Sequence, residues 1–322
     1  MKKLHSQGII ERYDQVIQDQ IKAGIVERVT GSATGQRHFY IPHKGVVRDS
    51  AETTKLRVVY DASARAYSGA PSLNECLNPG PPLLNKLWSV LVRARFQLIA
   101  VTGDIEQAFL QVRIREQDRN ALRFHWLKDL NSKEVGTLRF TRALFGLTSS
   151  PFLLGGVIQD LVDSCRERYP EIVREIEKSL YVDDLISGAP TSKKGKVIKS
   201  TSTSIFAEGT FELHKWHSNV KELEAASLEP VPEGKTYAKK QLNITRREGA
   251  SLLGLPWDKE NDTIAESFPL EKAEPTKRGI LSKVARIYDP LGLASPISLR
   301  GKLLYRDVCD AKRNWDDKLP ME

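Results

Sequence analysis

The stretch Leu180-Tyr181-Val182-Asp183-Asp184-Leu185-Ile186 constrains this chain more than any other. Val, Ile and Tyr favour strands and an Asp pair favours a turn, so the stretch predicts a β-hairpin with Asp183 and Asp184 at its tip. Neighbouring side chains on a strand point to opposite faces, and a tight turn relaxes that rule. Two carboxylates held about 4 Å apart repel by ~1 kcal/mol in water and by more in a drier site. A divalent cation removes the repulsion, and oxygen-only ligands suit Mg²⁺ or Mn²⁺. The bland alternative is an exposed acidic turn, and the rest of the chain decides between the two.

Gln97 to Ile105 is a near-continuous apolar run that reads as a buried central strand with Asp104 at its C-terminal end. If that strand lies beside the hairpin, Asp104, Asp183 and Asp184 converge on one sheet edge. Three carboxylates suit a two-metal clamp for in-line displacement at phosphorus. Such chemistry is positioning and electrostatics, so basic residues must face the phosphates. Lys55 and Arg57, on the predicted strand Lys55 to Asp61, are candidates, with a solvated strand end as the alternative.

At 322 residues the chain has room for two domains, or one with an extension. Lys and Arg exceed Asp and Glu by eight, which suits a polyanion partner. Three scattered cysteines imply neither a disulfide framework nor a zinc pattern, so a reducing compartment is expected. No apolar run reaches membrane-span length and no secretory h-region follows the N-terminus. Helices are predicted near Ile9–Ile21, Leu83–Arg95, Pro151–Arg168 with a Ser150 cap, Pro170–Ser179, Ser192–Ala207, Pro275–Tyr288 and Ile297–Lys312. Strands are predicted at Arg37–His43, Ala121–Leu127, Val135–Thr141 and Thr210–Leu213. Ser251–Trp257 forms an apolar unit with Thr263–Phe268 as a pairing partner. Lys193, Lys194, Lys196 and Lys199 read as a solvated helix face rather than a nucleic-acid contact. Gly188–Lys196 has the wrong spacing for a phosphate-binding loop, and His214 and His217 lack companions for a zinc site.

Three segments together carry a family likeness. Val101-Thr102-Gly103-Asp104-Ile105-Glu106-Gln107-Ala108-Phe109 resembles the first catalytic motif of reverse transcriptases. Ala143-Leu144-Phe145-Gly146-Leu147-Thr148-Ser149-Ser150-Pro151-Phe152 resembles their second, and Tyr181-Val182-Asp183-Asp184 their third. More narrowly, the chain resembles the Pao/BEL group of LTR retrotransposon polyproteins. The residues behind this are Tyr40-Ile41-Pro42-His43, Thr54 to Ser63, Leu213-His214-Lys215-Trp216-His217-Ser218-Asn219 and Tyr288-Asp289-Pro290-Leu291-Gly292.

The resemblance implies an α+β, right-hand polymerase fold, with fingers and palm followed by a mainly helical thumb-like region. It divides the chain into an N-terminal helical segment (1–36), fingers and palm (37–222), a linker (223–240), and primer grip, thumb and the start of a Pao-type C-terminal region (241–322). It implies an RNA-directed DNA polymerase that uses Mg²⁺ or Mn²⁺, a primer–template of RNA or DNA, and dNTPs. Asp104, Asp183 and Asp184 match the metal-binding carboxylates. Arg57, with Lys55 beside it, matches a fingers residue over the incoming triphosphate. Phe109 matches the ring that excludes a 2′-hydroxyl. Phe145 and Gly146 match the turn near the nucleotide, where a Gly lets the backbone approach. Lys215 matches a lysine able to protonate the leaving pyrophosphate, with snorkelling over Trp216 as the alternative. Leu253, Gly254, Leu255 and Trp257 match the primer grip. An intracellular, cytoplasmic setting without membrane contact is expected.

The rivals are a catalytically inactive nucleic-acid-binding remnant and a Pao-type peptidase function. The second lacks an Asp-Thr-Gly or Asp-Ser-Gly triplet. An RNA-synthesising polymerase is opposed by the ring at Phe109. The protease, RNase H and integrase of such polyproteins are expected to be absent from this chain.

Overall fold

In a computed structural model, residues 2–30, 37–47, 56–131, 134–224 and 250–320 are described. Lys55 and most of the expected linker lie outside them. The helices are α1 (Lys2–Ser6), α2 (Ile10–Lys22), α3 (Leu73–Cys76), α4 (Leu87–Arg95), α5 (Ala108–Gln111), α6 (Ser150–Ser164), α7 (Pro170–Ser179), α8 (Ser192–Glu208), α9 (Lys277–Ala285) and α10 (Ser295–Asp310). The strands are β1 (Val26–Val29), β2 (His43–Val47), β3 (Leu56–Tyr60), β4 (Ile99–Ile105), β5 (Arg123–Leu127), β6 (Val135–Phe140), β7 (Leu180–Tyr181), β8 (Asp184–Ala189), β9 (Leu213–Ser218), β10 (Ser251–Leu252), β11 (Leu255–Asp258) and β12 (Thr263–Ile264).

The molecule is α+β, and all its strand ladders are antiparallel. The sheet that matters most has the order β7-β8-β4-β9. Its inner strand β4 is buried at every residue but Asp104, because both of its faces are covered. On one face lie α6, α7 and α8, whose Leu154, Ile158, Val162, Ile176, Ile198 and Ile205 pack on Val101, Ile105 and Leu185. On the other, α4 brings Val90, Leu91 and Ala94 against Ala100 and Ile186. The same cluster takes in Leu252, Leu253, Leu255 and Trp257, so the β10–β11 hairpin is seated on the back of this sheet. A second core joins α2 to the sheets β1-β6-β5 and β2-β3 through Tyr13, Ile17, Phe124, Trp126 and Phe140. The β7-β8-β4-β9 sheet and its helices hold the three segments that resemble reverse transcriptase motifs, the part read from the sequence as the palm.

Several expectations shift. The strand expected at Arg37–His43 begins at His43 instead, and Tyr40 makes an isolated bridge to Arg123. Pro42 has no N–H to give a ladder, so the strand forms after it. The helix expected from Leu83 begins at Leu87, and its buried residues are Val90, Leu91 and Ala94 while Trp88 is exposed. Asn85, just before it, donates instead to the carbonyls of Glu177 and Leu180. Ser150 does not cap α6; it lies within the helix and donates to the Leu144 carbonyl. The strand expected at Thr210–Leu213 runs from Leu213 to Ser218. Among the described residues no helix is long and apolar enough to cross a membrane.

Candidate active site

The hairpin forms as expected, but its turn is one residue earlier. Leu180 pairs with Leu185 and Tyr181 with Asp184, so Val182 and Asp183 are the two turn residues and Asp184 opens β8. Val182 has φ of 58°, a region that a β-branched residue rarely enters. Two-residue hairpins need positive φ at the first turn position, a place where Gly is usual. Val182 is nonetheless 4% exposed, so packing against the palm core holds it there.

Strand β4 brings the third carboxylate to the hairpin. Asp104 pairs in register with Asp184, and the Ile105 N–H donates to the Asp183 carbonyl at 2.8 Å. Directly paired residues of an antiparallel ladder share a sheet face. Asp104 and Asp184 are therefore neighbours on one face, at the end of the strand where Asp183 turns. On the other side of β4, β9 pairs His214 with Asp104 and His217 with Thr102, so Lys215 and Trp216 stand opposite Gly103 alone. This is a β-bulge, and Lys215 takes φ of 49° to make it. The bulge turns two donors onto one oxygen: Asp104 Oδ2 accepts from His214 Nε2 at 2.9 Å and Lys215 Nζ at 3.2 Å.

Gly103 is where the bulge fits. A Cβ there would lie 3.1 Å from the Trp216 ring. Lys215 thus does not snorkel over Trp216; the ammonium over that ring is Lys199, 5.5 Å from its centroid. His214 also has a companion that spacing did not reveal, since its Nδ1 is 3.9 Å from Glu106 Oε2. His214 and Glu106 flank the ends of two strands whose pairing could not be read from either alone.

Phe109 is fully buried and meets Phe145 edge to face, with ring centroids 4.7 Å apart. Phe145 is half-buried, and Gly146 is exposed with φ of 91°. Asn74 fixes that turn by donating to the Gly146 carbonyl and accepting from the Thr148 N–H. Arg57 lies on β3, opposite Val46, and Lys55 falls outside the described residues. Leu253 and Gly254 are the two turn residues between β10 and β11, both with positive φ. The neighbouring Trp257 donates Nε1–H to Asp262, whose carboxylate also pairs with Arg95 of α4.

Three of the four lysines on the basic face of α8 have partners within the chain. Lys194 pairs with Glu171, Lys196 with Glu222, and Lys199 donates to the Leu223 carbonyl. These contacts favour the solvated-face reading.

The donor set fits a hard divalent cation in kind: three carboxylates, two of them in register on adjacent strands, and no sulfur. Among the described residues, no three His, Cys, Asp or Glu side chains are gathered into a ready metal-binding group. Asp104 instead satisfies its charge with Lys215 and His214.

Comparison with known proteins defines first a class. Residues 65–221 match the family model described as reverse transcriptase (RNA-dependent DNA polymerase), and so include Asp104, Asp183, Asp184 and Lys215. Residues 276–322 match a second, the Pao retrotransposon-like RNaseH-like domain. The two matched segments are thus similar to a reverse transcriptase and to a Pao retrotransposon domain, in the order the resemblance implies. The C-terminal segment, read from the sequence as the start of a Pao-type region with peptidase function only a rival and RNase H expected to be absent, matches a model described as RNaseH-like. No curated protein matches the chain. Among solved structures it is similar to a foamy viral protease-reverse transcriptase in complex with dsDNA, at 21% identity and TM-score 0.43, over 63% of this chain and 34% of that one. A second foamy viral protease-reverse transcriptase complex gives 21% identity and TM-score 0.41, over 62% and 30%. The chain therefore spans about a third of the length of the solved chains it matches.

Proposed function

We propose that this chain is the polymerase part of a retroelement's RNA-directed DNA polymerase, extending a primer on a nucleic-acid template with dNTPs. The observation that carries the reading is the register of the palm sheet. It sets Asp104 opposite Asp184, bonds Asp183 to Ile105, and directs Lys215 at Asp104. Mg²⁺ or Mn²⁺ would be held by Asp104, Asp183 and Asp184, and when bound it would lower the pKa of a primer hydroxyl and offset the charge of a triphosphate.

The rest falls to the chain's own residues. Lys215 is a cation on the oxygen of Asp104 that His214 also bonds and, in this reading, delivers a proton to a leaving pyrophosphate. Arg57, with Lys55 preceding it, supplies positive charge from the fingers for the triphosphate. The exposed Gly146 turn lets a nucleotide approach the backbone, and Phe145 over Phe109 builds the wall that excludes a 2′-hydroxyl. Leu253, Gly254 and Trp257 support the primer end. The boundaries 37–222 for fingers and palm and 241–322 for primer grip, thumb and C-terminal region are part of the same proposal.

Primer extension on an RNA template with dNTPs and Mg²⁺ or Mn²⁺ tests this. The native chain is expected to extend the primer, and Asp183→Asn and Asp104→Asn to lose extension by at least about a hundredfold. Equal extension by native chain and variants would place the chemistry elsewhere. Tight duplex binding with no extension by the native chain would leave only a nucleic-acid-binding role.

A further inference from the structure

Tyr288 belongs to the turn between α9 and α10, in the segment matched by the RNaseH-like model rather than the reverse transcriptase model. Its phenol donates to the Leu253 carbonyl at 2.8 Å. Leu253 is 2% exposed, with φ of 44°, followed by Gly254 at 94°. A buried turn carbonyl needs a hydrogen-bond partner, and Tyr288 supplies it from 35 residues away. Tyr288 and Leu291 pack on the cluster of Leu252, Leu253, Leu255, Trp257 and Ile186, which Tyr181 also joins. Tyr181 pairs in register with Asp184. Its phenol therefore bonds the β10–β11 turn, and its ring packs on the same apolar cluster as the tyrosine beside the hairpin carboxylates.

The segment behind Tyr288 is itself fixed. Asp289 accepts from Ser295 Oγ, Gly292 turns with φ of 77°, and the approach of α9 to α10 is so close that a Cβ on Gly301 would lie 2.7 Å from Val284. The ring projects from a braced corner.

We propose that Tyr288 is a positioning residue: its phenol oxygen holds the Leu253-Gly254 turn in place beside the Asp183-Asp184 hairpin, so that the C-terminal corner sets the affinity for a primer–template. The proposal rests on the polymerase reading for its consequence and on the hydrogen bond for its cause, and two measurements on the full chain separate these. The first is hydrogen exchange of native chain and Tyr288→Phe, a change that removes one oxygen and keeps the ring. Loss of one hydrogen bond predicts about three- to tenfold faster exchange confined to residues 251–257. The second is steady-state extension, with KM for the primer–template expected to rise by about the same factor and kcat at saturating duplex to hold within about twofold.

Unchanged exchange in residues 251–257 overturns the proposal. So does faster exchange across the whole chain, the signature of a residue needed only for folding. A fall in kcat with KM for the duplex unchanged also overturns it, because the turn would then act on the chemistry. A native chain that extends no primer defeats the polymerase reading, and the exchange measurement alone then decides whether Tyr288 holds the turn.

Discussion

At the residue scale, the proposed role of Lys215 rests on the glycine that makes room for its bulge. Lys215 reaches Asp104 because the β9 bulge aims it there, and the bulge closes because Gly103 leaves space for Trp216. Lys215→Ala is expected to slow single-nucleotide incorporation about a hundredfold, the usual size of a lost general acid. Duplex affinity should hold; rapid-quench kinetics and a duplex titration check the two. Gly103→Ala is expected to destabilise the chain by about 1–3 kcal/mol, because a ring and two strands must shift to admit one methyl group. A urea midpoint measures it. Full stability in the alanine variant would show that Trp216 has space to retreat.

At the element scale, the β1-β6-β5 sheet carries an uneven row of charge. Glu27, Arg139 and Arg123 are aligned across its three strands. Arg139 and Arg119 both bond Glu27, whereas Arg123, at 3% exposure, has the neutral acceptors Asn120 and Tyr40. Glu27, with the more exposed Glu116 farther from Arg139, thus offsets like charges packed side by side. Breaking a buried pair costs several kcal/mol, and these groups are partly exposed, so Glu27→Gln is expected to cost about 1–2 kcal/mol. Denaturation at low and high salt checks this. The loss should shrink as salt screens the arginines. A salt-independent loss would point to packing instead.

At the scale of the whole molecule, the C-terminal corner is tied to the β10-β11-β12 segment by more than Tyr288. Glu266 lies against Asp289. Burial, and then the hydrogen bond and charge of Asp289, push its carboxyl up to about 7. Burial works to raise Asp289 as well, but hydrogen bonds from Glu266, the Ala294 and Leu293 N–H groups and Ser295 bring it below the usual carboxylate range. The folded form thus keeps the Glu266 proton from about pH 4.5 to 7, where the unfolded chain has lost it. Stability from this group is fullest below pH 4.5 and is lost as pH rises through 7. Asp289 acts in the opposite sense, below the ordinary Asp range, outside that window. Urea midpoints are expected to fall between pH 5 and 8, with Glu266→Gln removing the slope. An equal slope in the variant would assign it to other groups.

By itself, the sequence determined the chemistry that is local. The Asp-Asp hairpin, the apolar strand ending in Asp104 and the amphipathic α2 stopped at Gly24 follow from side-chain preference and spacing, which act over a few residues. Motif order then tied the carboxylates to a polymerase. Only the tertiary structure decided register and contact across long separations. It moved the turn to Val182-Asp183, because burial of Val182 outweighs the preference for Asp in turns. It aimed Lys215 at Asp104 through a bulge that no periodicity encodes, and gave His214 two carboxylate neighbours. It also joined Tyr288 to Leu253, since a hydrogen bond is blind to sequence distance and depends only on where packing brings two chain segments.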